Sequence, residues 1–273
     1  MAVKNVTAFV GAGRKGHTYE AVREFLDGLE ALGDVETEIV RLGDYRIETC
    51  RGCKVCFDKG EEYCPLKDDR DVLIDKMMAS DGVVFASPNY SFQVSGMLKV
   101  FLDRLGFAFH RPRFHGKSFT SIVVQGFFGG GKIVKYLDFC GTGLGFNVVK
   151  GSCSTALVPM TEQEQQKRDA ALAKHAKRFH ERLMKPAYPA PGLIQLFAFR
   201  MGRTVVGVEL DDSSRDYAYY AEKGWFDSDF FYPTRIGVFK RAAGRLIDAI
   251  VARRFKAKAV QRKTLLQRGA GTA

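Results

Sequence analysis

The opening stretch constrains the fold of this chain more than any other. "NVTAFVG" at 5–11 is a short run of buried-strand type that breaks at glycine, and "AGRKGHT" follows as a glycine-rich loop. Val22, Phe25, Leu26, Leu29 and Leu32 then recur at helical spacing until Gly33. The pattern repeats downstream. "VETEIVRL" at 35–42 reads as a second strand, "DVLIDKMMAS" as a helix and "GVVFASP" at 82–88 as a third strand. Ser95 can cap a helix with Met97, Leu98, Phe101, Leu102 and Leu105 on its apolar face. "SFTSIVVQG" at 118–126 is a fourth strand, followed by glycines and a helix from about Lys132, and "GFNVVKGSCSTALV" holds a fifth strand. Thr161 and Glu164 have capping-box spacing ahead of a long helix with Leu172, Ala176, Phe179 and Leu183 on one face.

Strands alternating with helices imply a parallel sheet covered on both faces. Ligands of such sheets bind at the carboxyl ends of the strands, beside the switch in strand order. The loops that matter are therefore 11–18, 88–95 and 126–132. At "PAYPAP" (186–191) the alternation stops. This divides the chain into a domain at 1–187, with a cysteine-bearing insertion at 44–68, and a mainly helical, basic extension at 188–273. In the extension, the aromatic run from Tyr217 to Tyr232 is expected either to close over a neighbouring site or to build a dimer interface. A last helix from Ile236 to about Phe255 places Ile236, Phe239, Ala243, Leu246, Ile247, Ile250 and Val251 on one face, with Lys240, Arg241, Arg245 and Asp248 on the other.

Composition narrows the function classes. With 273 residues, 46% hydrophobic and 27% charged, the chain is of ordinary soluble globular type. It shows no secretory signal pattern and no apolar run long enough to span a membrane, so a cytoplasmic location is expected. The net charge of +11 is concentrated in the tail, where eleven Lys and Arg from Pro233 to Ala273 face one acid, Asp248. A basic appendage on a near-neutral body argues against a nucleic-acid face. The tail reads either as a helix packed on the body or a second subunit, or as a segment (236–268) that engages anionic lipid.

The first loop offers Gly11, Gly13, Arg14, Lys15, Gly16, His17 and Thr18, with backbone amides at a helix N-terminus suited to a phosphate. It matches neither the G-x-x-x-x-G-K-[ST] nor the G-x-G-x-x-G spacing. Together with "SPNYSFQVSGMLKVFLDR" after strand three, it resembles the flavodoxin-like NAD(P)H-dependent FMN reductases over residues 1 to about 185. The resemblance implies a doubly wound, five-stranded parallel sheet of order 2-1-3-4-5. It puts the FMN phosphate at Arg14, Lys15, Gly16, His17 and Thr18, and the flavin ring at Pro88, Asn89, Tyr90, Ser91 and Phe92. It puts the pyrimidine edge at Gly126, Phe127, Phe128, Gly129 and Gly130. Where the family commonly has G-S-P-R-K-x-x-x-T, this chain has Gly11, Ala12 and Gly13, so backbone donors replace a serine hydroxyl.

The resemblance implies an oxidoreductase that takes hydride from NAD(P)H and passes electrons to a small-molecule acceptor such as a quinone or another flavin. Assembly as a homodimer or tetramer is expected. An electron carrier that serves a partner protein, and a redox-sensing or membrane-associated flavin-binding protein, are the alternatives. Cys50, Cys53, Cys56 and Cys64 in "CRGCKVCFDKGEEYC" resemble the cysteine insertion of the iron-sulfur flavoprotein branch, and Pro65 after Cys64 matches the Cys-Pro ending of ferredoxin motifs. Three readings of this set stay open: a [4Fe-4S] cluster, redox-active thiols, or zinc. Cys140 and Cys153 are expected to be small core residues. His110, Arg111, Arg113 and His115 in "HRPRFHGK" read either as contacts to the adenosine phosphate of NADPH or as a solvated basic turn.

Overall fold

The computed structural model describes residues 3–157 and 159–269, with side chains to residue 257. Among these, the strands are β1 (Lys4–Val10), β2 (Val35–Arg41), β3 (Gly82–Pro88), β4 (Ser118–Gln125), β5 (Asn147–Val148) and β6 (Ser152–Thr155). All pairings are parallel, in the order β2-β1-β3-β4-β5, with β6 also on β4. The expected order is the observed one. The fifth strand, read as continuous, is split in two. Between its halves Val149 N still donates to Phe119 O at 2.8 Å, but Gly151 N turns to the Asp138 carboxylate at 3.3 Å. A Cβ on Gly151 would lie 2.0 Å from Ser121 Oγ, so only glycine lets the chain pass this close to β4.

The helices are α1 (His17–Glu30), α2 (Val55–Asp58), α3 (Arg70–Ala79), α4 (Gly96–Arg104), α5 (Gly106–His110), α6 (Gly130–Leu144), α7 (Glu162–Leu183), α8 (Leu193–Glu209), α9 (Arg215–Glu222) and α10 (Val238–Gly269). The chain forms two compact units. The first runs to Gly52 and resumes at Leu66–Ala187, and the second takes Cys53–Pro65 together with the chain from Tyr188 onward.

In the first unit, strand side chains alternate between two cores. Val6, Ala8, Val10, Val84 and Ala86 pack with Phe25 and Leu26 of α1 and with Leu172, Ala176 and Phe179 of α7. On the other face Phe9, Phe85, Phe101 and Phe119 stack and meet edge to face at 5.1–6.0 Å. Burying each such ring contributes about 2–3 kcal/mol. Expected caps are present: Ser95 Oγ accepts from Leu98 N, and Thr161 with Glu164 forms the reciprocal box at α7. Two expected core positions are exposed. Leu32 lies past the end of α1, and Met97, partly exposed, reaches toward Gly13 and Gly43 instead of the core.

The second unit has its own core of Leu196, Phe199, Tyr220, Trp225, Phe230 and Ile236. The aromatic run is therefore the interior of this unit, with Trp225 Nε1 donating to Phe231 O at 3.0 Å. The last helix also departs from expectation. Its packed side carries Gly244, close against Arg200, and Asp248, which accepts from Arg200 and Arg203 at 2.6 Å and from Thr204 at 3.1 Å. Phe239, Leu246 and Ile250, expected on the packed face, are exposed. An ionic anchor turns the helix away from the orientation that hydrophobicity alone selects. The tail cations Lys258, Arg262, Lys263 and Arg268 lie outside the described side chains. No helix among the described residues is long and apolar enough to cross a membrane.

Candidate functional site

The order switch between β1 and β3 opens a crevice at their carboxyl ends. A cleft of about 220 Å³ lies there, lined by Ala12, Arg14, Gly16, His17 and Thr18 from the first loop, Pro88, Asn89 and Tyr90 from the second, and Val124, Gln125 and Gly126 from the end of β4, with Ala156 beyond β6.

The first loop leads into α1, whose N-cap is Gly16 with no side-chain cap hydrogen bond. The first-turn amides of a helix left without a side-chain cap are suited to an anion, aided by the helix dipole. Thr18 is buried on this rim, and His17 Nδ1 stands 3.3 Å from Glu20 Oε2. Arg14 lines the cleft, whereas Lys15 points aside over the Tyr19 ring at 5.6 Å. Gly11 and Gly13 lie outside the lining. Gly11 instead lets β1 approach α4, since a Cβ there would sit 2.7 Å from that of Leu98.

The second loop turns tightly: Tyr90 and Gln93 exchange backbone hydrogen bonds at 3.1 and 2.9 Å, with Ser91 at φ 50 and Phe92 at φ 64. Non-glycine residues in this left-handed region store strain, a recurrent property of ligand-binding turns. The turn is tied to the third loop. Asn89 Nδ2 donates to Phe128 O at 2.8 Å, the Phe92 and Phe128 rings lie 5.2 Å apart, and Gly129, at φ 95, has the Phe92 ring where its Cβ would be. Tyr90, Phe92, Phe127 and Phe128 are all largely exposed around the opening. Gly130 is the first residue of α6, its N–H held by Gln125 Oε1 at 2.7 Å, while Gln125 Nε2 donates to Thr155.

The structure thus gathers Arg14, Gly16, His17, Thr18, Pro88, Asn89, Tyr90 and Gly126 around one cleft. Ser91, Phe92, Phe127, Phe128, Gly129 and Gly130 shape its loops without lining it. Sequence reading missed Ala12, Val124, Gln125 and Ala156, and also Ser87, whose buried hydroxyl accepts from Ser95 N at 2.9 Å and donates to Pro88 O. Gln125 had a legible signal: it is the polar residue that ends an apolar strand at the ligand-binding edge.

A phosphorylated, planar heterocycle fits this cleft. Asn89, which lines the cleft, has a buried Oδ1 with no hydrogen-bond partner, an acceptor left for an amide-bearing ring, and a Cβ at Gly126 would meet nothing within 4 Å.

The cysteine segment begins in the first unit and passes into the second between Gly52 and Cys53. Its stems are clamped: Glu48 N donates to Asp68 Oδ2 at 2.8 Å, Arg46 N to Asp69 Oδ2 at 2.7 Å, and Asp68 pairs at 3.0 Å with Arg104, both side chains almost fully buried. Gly52 at φ 65 and Lys54 at φ 61 bend the backbone between cysteines, and α2 packs on α9 within the second unit. Cys50 and Cys53 are exposed, Cys56 and Cys64 half-buried, and none of these four is in a disulfide. Among the described residues no three His, Cys, Asp or Glu side chains gather at metal-holding distance. In kind and number the four thiols fit an iron-sulfur cluster, whose ligands are thiolates.

Two expectations are corrected. Cys140 is buried, but Cys153 is exposed at the edge position of β6, although packing of its sulfur near Gly130 pushes its thiol up. Arg111 is completely buried and, with Arg113, stacks on Phe107, while burial lowers His115 to about 4. Arg111 thus braces the core, because an aromatic face accepts a guanidinium that water does not reach, so the segment is not a wholly solvated turn, although His110 is exposed and Arg113 half-buried.

Comparison with known proteins agrees with the geometry. The sequence model of the family described as NADPH-dependent FMN reductase matches residues 5–156. An iron-sulfur flavoprotein of Methanocaldococcus jannaschii is 39% identical over 90 residues, 33% of this chain and 45% of that protein. Another, from Archaeoglobus fulgidus, is 39% identical over 116 residues, 42% of this chain and 51% of that one. The chain spans about half the length of these curated relatives. Among solved structures, an NAD(P)H:quinone oxidoreductase from Methanothermobacter marburgensis superposes with a TM-score of 0.52 at 16% identity, covering 64% of this chain and 96% of that one, which shows the shared fold.

Proposed function

The chain belongs to the NADPH-dependent FMN reductase family, and on that premise we propose that it is an FMN-dependent oxidoreductase that carries electrons from a reduced nicotinamide to a small-molecule acceptor. The observation that carries this reading is the cleft at the carboxyl ends of β1, β3 and β4, lined both by an uncapped helix N-terminus and by Asn89, whose Oδ1 is unpaired.

Amides of His17 and Thr18, the Thr18 hydroxyl and the Arg14 guanidinium would hold the phosphate, with Gly16, whose own N–H is held by Arg14 O at 3.0 Å, shaping the loop beside it. Lys15, Gly11 and Gly13 support that loop. Pro88, Asn89 and Tyr90 would seat the ring, and Gly126 would let the backbone approach its pyrimidine edge. Ser91 and Phe92 hold the turn, while Phe127, Phe128, Gly129 and Gly130 frame the opening and exclude water. When bound, FMN supplies the hydride and electron chemistry, so the protein needs no acid–base residue for that step. Cys50, Cys53, Cys56 and Cys64 would hold a [4Fe-4S] cluster, which supplies one-electron transfer. That cysteine set favours a second reading, an electron carrier for a partner protein. A reducing, cytoplasmic setting and a homodimeric or tetrameric state belong to the proposal.

Anaerobically purified protein should carry flavin bands, about four iron and matching sulfide per chain, and lose flavin colour on rapid mixing with NADPH. A protein that neither retains nor takes up FMN would end the reading. Slow bleaching by both nicotinamides favours the carrier. Flavin without iron or sulfide leaves the reductase intact and returns the four cysteines to thiol or zinc chemistry.

A further inference from the structure

The face of α10 opposite its anchor carries an apolar stripe that is exposed among the described residues. Phe239, Leu246 and Ile250 are 93%, 63% and 57% exposed, and their i, i+7, i+11 spacing puts them on one line of the helix. Val238, at the helix start, is 82% exposed. Exposed Arg245, Arg253, Arg254 and Lys256 flank the stripe. The one acid of this stretch, Asp248, lies on the packed side and is consumed by Arg200, Arg203 and Thr204. It neutralises none of the outer cations.

We propose that this face of α10 docks on an anionic lipid surface. An apolar strip bordered by guanidinium and ammonium groups is the pattern of a helix lying in a membrane interface, with side chains of the strip entering the acyl boundary and cations meeting phosphate. Charge decides against the rival occupants. Pairing this face with that of a second copy would bring like charges together, and a nucleic-acid backbone offers nothing to an exposed phenylalanine, leucine and isoleucine on one line. The internal ionic anchor explains how the helix keeps an apolar face outward while still packing on α8.

The test is co-sedimentation of the full chain with phosphatidylcholine vesicles, with and without about one third phosphatidylglycerol. The protein should pellet only with the anionic vesicles and be released at about 0.5 M salt, where screening is strong. The double variant Phe239→Ser with Leu246→Ser, and separately Arg245→Gln with Arg253→Gln, should each lower partitioning at least tenfold. All four side chains are exposed, so Trp225 fluorescence and flavin binding should stay those of the parent. Equal pelleting with both vesicle types, none with either, or unchanged partitioning of both variants overturns the proposal. So does light scattering that shows the serine variant converting a dimer to a monomer with no vesicle binding, which would assign the stripe to a second copy.

Discussion

Replacing His175 by glutamine should flatten the acid limb of this protein's stability curve. His175, on α7, is completely buried against the sheet and touches the Phe25 ring, with centroids 4.8 Å apart. Thr120 Oγ1 donates its hydrogen to Val149 O at 2.9 Å, so it accepts from His175 Nε2–H at 2.7 Å, and Nδ1 accepts from Ser152 Oγ at 2.8 Å. The neutral imidazole is thus fully satisfied. A second ring proton would displace the Ser152 bond and place a charge in the core near Arg178. Burial first, then Arg178, lowers its pKa to about 3. The unfolded ring, near its ordinary value of about 6.5, takes up a proton first as pH falls. Stability is therefore lost progressively from about pH 6.5 down to about 3. The loss attributable to this ring is about 2 kcal/mol by pH 5 and about 4–5 kcal/mol near pH 3. Glutamine keeps one donor and one acceptor without titrating. Urea unfolding of both proteins at pH 7.5 and 5 should show the parent losing about 2 kcal/mol more than the variant. Far-UV circular dichroism is the probe, since the single tryptophan, Trp225, reports the second unit. His115 contributes equally to both and cancels. Equal losses in parent and variant would refute the argument.

Three further outcomes follow from the same reasoning. Arg104→Leu leaves the buried Asp68 carboxylate without its cation, held only by the Glu48 and Arg70 amides, and should cost about 3 kcal/mol, lowering Tm by roughly 10 °C; an unchanged melt would show the pair to be dispensable. Ser91→Gly relieves a left-handed φ of 50 and should raise stability by about 0.5–1 kcal/mol, so a lower midpoint would contradict the strain assigned to that turn. Asp248→Ala removes the carboxylate that Arg200 and Arg203 share, leaving Arg200 with Asp229 and Arg203 with Ser228 O, and should destabilise the second unit by about 1–2 kcal/mol, read from Trp225 fluorescence during denaturation.

The alternation of strand, glycine loop and helix determined a parallel sheet and which loops meet at its carboxyl edge, while its strand order was implied only by the resemblance to the flavodoxin-like FMN reductases. The sheet and its loop edge follow from local periodicity and from the handedness of parallel crossovers, both of which a sequence carries directly. The caps at Ser95 and Thr161 were legible because they involve residues three apart, and Cys50, Cys53, Cys56 and Cys64 were legible as a spacing. What depends on atoms far apart in the chain was not. Gln125 reaching Gly130 and Thr155, Asn89 reaching Phe128, and Arg104 reaching Asp68 are choices of three-dimensional packing. Arg111 looked like a surface cation until Phe107 and the fold enclosed it, and Phe239 looked like core until Asp248, held by Arg200 and Arg203, turned α10 the other way. Hydrophobic periodicity states which residues can be buried together, but a buried ion pair costs several kcal/mol to leave unmade, so tertiary structure decided which face of that helix looks inward.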